Sequence, residues 1–224
     1  MFRRVFLAAL AAGLIVGVLV TAMQAVTTTP LILQAEVFEA AGGGHSHGHA
    51  HDHDHGHDHG VPESDAGRLL TTLLANLVTG VGFALLLVAA FALRGQPVDE
   101  RRGLLWGVAG FAVFTLAPSL GLPPEIPGSA AADLAARQAW WAFAAVGAAA
   151  GLWLLVFGRH PVRLLLGISV AALPHLVGAP VHDAASGNAP PELAAQFAAT
   201  AIVVSALFWA ALGWTAGSFY RRLT

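Results

Sequence analysis

The chain has 224 residues, 56% of them hydrophobic and 11% charged, with a formal net charge of −2 and a mean hydropathy of +0.68. Soluble domains carry about 25% charged residues, so this balance describes a protein whose solvent is lipid. There is no Cys and no Lys, which excludes thiolate metal sites, disulfides and catalytic thiols, and also a Walker A loop and Schiff-base chemistry.

In chain order, residues 3–26 place Arg3 and Arg4 before an apolar run of roughly 20 residues, enough to cross a bilayer core. A signal peptide has a shorter apolar region, about 7–15 residues, and a small-residue cleavage site. Met23 and Gln24 interrupt the place where that site would sit, so the helix is expected to be retained. Residues 27–66 read as a polar loop carrying an amphipathic piece, LILQAEVFEAA, and then the tract HSHGHAHDHDHGHDH. Further apolar helices are predicted over 67–93, 103–117, 131–157, 162–178 and 191–219. The third and fifth are short and meet Pro118 and Pro174. Interrupted helices at membrane depth are tolerated beside protein or a water-filled cavity, so these two are where a cavity is expected.

The reading is therefore an all-α polytopic membrane protein. It has a first transmembrane helix in 1–26, a His-rich loop in 27–66, and a bundle of about five helices in 67–224. LAPSLGLP (116–123) is echoed by LPHLVGAP (173–180), and AADLAARQ (131–138) by PPELAAQF (190–197). Those echoes suggest about six membrane helices in three in-out-in helix hairpins that act as pseudo-repeats.

Orientation follows from Arg placement. With the N-terminus cytoplasmic, Arg3, Arg4, Arg94, Arg101, Arg102, Arg159, Arg163, Arg221 and Arg222 lie inside, and only Arg68 and Arg137 lie outside. Both termini are then cytoplasmic and the His tract is extracytoplasmic.

The tract has no apolar face and no helical period. It is a solvated set of imidazoles: His45, His47, His49, His51, His53, His55, His57 and His59, with Asp52, Asp54 and Asp58 interleaved. Neutral imidazole suits Co, Ni, Cu and Zn without choosing among them. Its proton affinity near pH 6.5 makes binding fade in mild acid. Outside the tract, His175 follows Pro174 near the outer membrane depth, and His182 lies in the next loop beside Asp183. Both are candidate ligands along a metal path, whereas His160 reads as a surface residue. Gln24, Asn76, Gln138, Gln196 and Ser205 are polar groups in or near the membrane, more simply interhelical hydrogen-bond formers than cation ligands. Glu36 and Glu39 could hand metal inward or only face solvent. Gly13/Gly17, Gly103/Gly107, Gly147/Gly151 and Gly213/Gly217 have the spacing of close helix packing. No HExxH, GxSxG or paired-carboxylate motif occurs, so the chain is not expected to be an enzyme, and no basic stripe suits nucleic acid. A permease for cobalt, nickel or zinc, or a non-transporting membrane metallochaperone or sensor, fits these residues.

One resemblance narrows this. FRRVFLAALAAGLIVGVL at the start, TPLILQAE (29–36), LLANLVTGVGFALLL (73–87) and RRGLLWGVAGF (101–111) resemble the CbtA family of probable cobalt transporter subunits. So do LAPSLGLPPEIPG (116–128), DLAARQAWW (133–141), LPHLVGAP (173–180) and PELAAQF (191–197), together with the His-rich loop. LGLPPEIPG and LPHLVGAP, in that order, carry the specificity. The resemblance implies Co²⁺ uptake linked to cobalamin synthesis. It also implies a small partner, CbtB, with a single membrane helix and its own His motif.

Overall fold

The structure, a computed structural model, describes residues 2–42, 65–158, 160–181 and 189–223. The described residues form helices α1 (Phe2–Val26), α2 (Thr28–Gly42), α3 (Asp65–Arg94), α4 (Glu100–Phe111), α5 (Ala117–Ser119), α6 (Leu134–Phe157), α7 (Pro161–Val177) and α8 (Pro191–Leu223). A π-helical segment, Ala112–Leu116, joins α4 to α5.

Helix starts follow local chemistry. Asp99 accepts the Arg102 N–H at 2.8 Å and so satisfies one of the free donors that open α4. Asp133 does the same for α6 through the Ala136 N–H at 2.9 Å. α7 opens on Pro161, and His160 Nδ1 accepts the Val162 N–H at 3.3 Å. His160 is thus a cap as well as a surface residue.

Residues 28–42, expected within a polar loop, are helical. Leu31 and Ala35, one turn apart, bury against Ile126 and Leu193, and that apolar stripe gives the segment a helical period to keep. α2 therefore docks across the end of the bundle where α1 stops and α8 begins.

The glycine spacings mark the three closest helix contacts. A Cβ on Gly17 would sit 2.9 Å from the Leu77 Cα, and one on Gly80 would sit 2.6 Å from the Gly13 carbonyl oxygen, so α1 and α3 touch backbone to backbone. Gly103 and Gly107 of α4 face Gly213 and Gly217 of α8 in the same way. Gly151 of α6 faces Gly167 of α7, while Gly147 meets Pro174. In every pair the residue numbers run oppositely, so all three pairs are antiparallel.

This pairing corrects one expectation. Sequential hairpins would seat α4 beside α6 and α7 beside α8, but α4 packs on α8 and α6 packs on α7. The small-residue faces decide it, because each glycine stripe permits close approach only to a matching stripe. α6 reaches the α4 side of the bundle through the π segment and α5.

The main core joins α1, α3 and α8: Ala9, Ala12 and Val16 meet Ala84, Val88 and Phe91, and Leu212 and Ala216 close the third side. Outside it, large apolar side chains such as Leu74, Val78, Leu93, Leu105, Val146, Leu165 and Val203 are exposed. Water would not tolerate that surface, whereas acyl chains solvate it. Among the described residues four helices, Val5–Val26, Asp65–Arg94, Leu134–Phe157 and Pro191–Leu223, are long and apolar enough to cross a membrane. The apolar α7 has 17 residues and falls just short, and α4 reaches 20 only together with the π segment and α5. These are the two elements already marked as short in the sequence.

Candidate functional site

α3 carries Thr72, Asn76, Thr79 and Phe83 at helical spacing, a polar stripe ending in an aromatic ring on an otherwise apolar helix. That stripe lines a cavity of about 370 Å³ together with Val20 and Gln24 of α1, Thr28, Thr29 and Ile32 of α2, and Phe197, Val204 and Ser205 of α8. Thr115 and Phe114 of the π segment, and Ala201, Phe208 and Trp209 of α8, also line it. No lining residue is charged.

Hydrogen bonds order this polar set. Asn76 Nδ2 donates to Thr21 Oγ1 at 2.9 Å and to Gln24 Oε1 at 2.6 Å, tying α3 to α1. The buried Thr21 hydroxyl in turn donates to the Gly17 carbonyl at 2.8 Å. Thr72 Oγ1 donates to the Arg68 carbonyl one turn back at 2.8 Å. With these protons engaged, Asn76 and Thr72 keep oxygen lone pairs for the cavity.

Aromatic rings floor the cavity on the side of the main core. Phe114 stacks on Trp209 with centroids 5.6 Å apart and planes 6° apart, and Phe83 packs 5.4 Å from Phe114 and 4.7 Å from Trp209. Phe114 is placed there by the π segment. Pro118 has no N–H to give the Phe114 carbonyl, and the Ala117 N–H instead reaches the Ala112 carbonyl five residues back. Beyond Phe114 lies a second cavity of about 660 Å³, lined by Ser119, Glu125, Arg137, Gln138 and Trp141 and sharing Phe114 and Thr115 with the first. Within it Arg137 pairs with Glu125 at 2.5 Å. Arg68, in the first turn of α3, makes a two-point pair with Glu36 at 2.6 and 3.2 Å. At the opposite end, Arg221 pairs with Glu100 at 3.1 Å, and Arg94 lies 4.2 Å from the centre of the Phe157 ring.

Of the polar residues singled out in the sequence, Gln24, Asn76 and Ser205 come together in the first cavity. Gln138 lies in the second, and Gln196 is exposed on α8. Interhelical bonding and cavity lining are the same fact for Asn76 and Gln24. Glu36 is held by Arg68, and Glu39 is exposed. His175, half-buried, packs edge-on to Trp140 at 5.8 Å between α6 and α7 and lines neither cavity. Trp140 Nε1 donates to the Pro174 carbonyl beside it at 3.3 Å. His45 to His59, with Asp52, Asp54 and Asp58, lie outside the described residues, as do His182 and Asp183. Among the described residues no three His, Asp or Glu side chains cluster in a way that could hold a metal ion. The threonines and the aromatic floor were missed, although Thr72, Asn76, Thr79 and Phe83 are a readable face of α3.

A glycine-stapled helical bundle with a lipid-facing exterior and a neutral polar cavity defines an α-helical integral membrane protein. A family model described as "Probable cobalt transporter subunit (CbtA)" matches residues 2–221, nearly the whole chain, and the chain belongs to that family. Comparisons with curated proteins and with solved structures give no significant match.

Proposed function

We propose that the chain is the membrane-spanning subunit of a Co²⁺ uptake transporter and that the cavity between α1, α2, α3 and α8 is its cation vestibule. The observation that carries this is the cavity itself: oxygen- and amide-bearing side chains gathered inside an apolar bundle, closed on one side by Phe83, Phe114 and Trp209. Polar groups at membrane depth are costly and mark substrate paths. Family membership favours cobalt over the nickel and zinc alternatives.

In the full reading, α7 and the α4–π–α5 run also cross the membrane, giving six spans. Both termini are cytoplasmic in the bacterial inner membrane, and the cavity opens outward. The imidazoles and carboxylates of 45–59 gather Co²⁺ outside, with His182 and His175 as further nitrogen ligands near the outer face. The chain carries no nucleotide loop, so passage draws on the membrane potential, on an ion gradient or on a partner. The potential contributes about 4–5 kcal/mol to a divalent cation at 100 mV. The family description as a subunit supports a partner, and a small single-helix, His-bearing protein of the CbtB kind would fit that place.

The test is the cobalt, nickel and zinc content of cells expressing the chain, whole and lacking 45–59. Selective cobalt accumulation that falls without the tract supports capture and passage. Accumulation that ignores the tract removes capture from the mechanism. No accumulation, with or without a partner, sinks the transport reading.

A further inference from the structure

We infer that the cavity takes a divalent cation with its inner water shell intact and holds it through that shell, without direct ligation. The inference rests on the cobalt-transport reading above and goes past it to the chemical form of the substrate. The lining offers amides and hydroxyls, and none of it is a carboxylate or an imidazole. Direct ligation of a borderline cation such as Co²⁺ favours nitrogen or charged oxygen donors. Stripping water from a divalent ion and replacing it with neutral hydroxyls would leave most of its hydration energy unrecovered.

Size agrees. An octahedral shell of waters at about 30 Å³ each occupies roughly 180 Å³. The cavity, at about 370 Å³, holds that shell with room for more water.

Hydrogen-bond polarity agrees as well. A hydrated cation shows the protein only O–H donors, so its site must accept. The Asn76 amide hydrogens are engaged by Thr21 and Gln24, and the Thr72 hydroxyl proton by the Arg68 carbonyl. Asn76 Oδ1 and Thr72 Oγ1 keep lone pairs and both residues line the cavity, while Gln24 Oε1 is already taken by Asn76. Thr28 repeats the pattern more weakly, donating to the Gln24 carbonyl at 3.5 Å. The cavity thus recognises the shell that Co²⁺, Ni²⁺ and Mg²⁺ have in common, and discrimination among them belongs to nitrogen ligands elsewhere on the chain or on its partner.

The probe is hexaamminecobalt(III), which matches the size of a hexahydrated ion, presents only N–H donors and does not exchange its ligands. It is added to cells taking up Co²⁺ through the full chain. Competitive inhibition is expected, with a half-inhibitory concentration that rises about fivefold in Asn76→Leu, the size of one lost hydrogen bond. Because Asn76 also ties α3 to α1, Ser205→Ala, at a position without such a tie, is run beside it and should shift inhibition in the same direction. Mg²⁺ in excess should compete as Ni²⁺ does. Co²⁺ uptake that the ammine leaves untouched overturns the shell-intact reading while transport stands. Absence of Co²⁺ uptake by the wild-type chain overturns both.

Discussion

Gly107 shows how little room single residues have here. A Cβ there would lie 3.0 Å from the Gly213 Cα and closer still to the Trp209 carbonyl. Gly107→Ala should lower stability by about 1–3 kcal/mol, the usual cost of overpacking, read as a fall in Tm in detergent. Gly82, one α3 position with open space around it, is the control: Gly82→Ala should leave Tm unchanged or raise it. Asp99 gives a pH test outside the membrane. The Arg102 N–H bonded to its carboxylate holds its pKa below the usual carboxylate value. A group depressed in the folded state contributes stability above its unfolded value and loses it as pH falls through the folded one. Amide protection factors at the start of α4, corrected for intrinsic exchange, should therefore be flat from neutral pH down to the ordinary carboxylate range and fall only below it. Asp99→Asn should keep the cap and remove that pH dependence, and Asp99→Ala should fray the turn at every pH. At this scale the sequence was informative: the glycine spacings, Asn76 and Gln24 were all visible. Their partners were not, because Thr21 and Gln24 lie 55 and 52 positions from Asn76, and a hydrogen bond over that separation leaves no local pattern.

The π segment is the element whose shape the sequence hid. Pro118 announces a broken ladder, and ending the helix there was the simplest reading. The chain instead absorbs an extra residue and continues through α5, because Pro118 is fully buried and Phe114 is held between the rings of Trp209 and Trp141, the latter 6.3 Å away. Pro118→Ala restores the missing N–H and lets the ladder become regular, which would turn Phe114 and Thr115 by about 100° around the axis. Cobalt uptake should fall, while protein level and Tm hold or rise. Unchanged uptake would remove the segment from the pathway. The helix positions themselves were largely legible, since long apolar runs bounded by Arg, Pro and Asp admit few other readings. α2 was the exception: its apolar stripe is narrow, and the residues that bury it, Ile126 and Leu193 among them, lie far along the chain.

For the molecule as a whole, the proposed orientation can be tested without background, because the chain has no Cys. Single cysteines at Gln96, between α3 and α4, and at Ser129, before α6, lie at opposite ends of the bundle. A membrane-impermeant maleimide should label Ser129→Cys in intact cells and Gln96→Cys only after permeabilisation. The reverse pattern would invert the topology and turn the vestibule toward the cytoplasm. Tertiary pairing was legible only for the first hairpin, since α1 does pack on α3. The pseudo-repeats suggested neighbours in order, but the glycine faces join α4 to α8 across α5, α6 and α7.

That exchange of partners bears on how the protein is made. α8 leaves the ribosome after every other described helix, yet it closes the core against α1 and α3 and supplies the glycine face that α4 needs. Until it emerges, α1 and α3 can staple to each other, but α4 must wait in lipid with its small-residue stripe uncovered. Biogenesis is therefore a period of exposure that only the last helix ends. A chain interrupted before Pro191 would be an unassembled substrate for membrane quality control and not a smaller transporter.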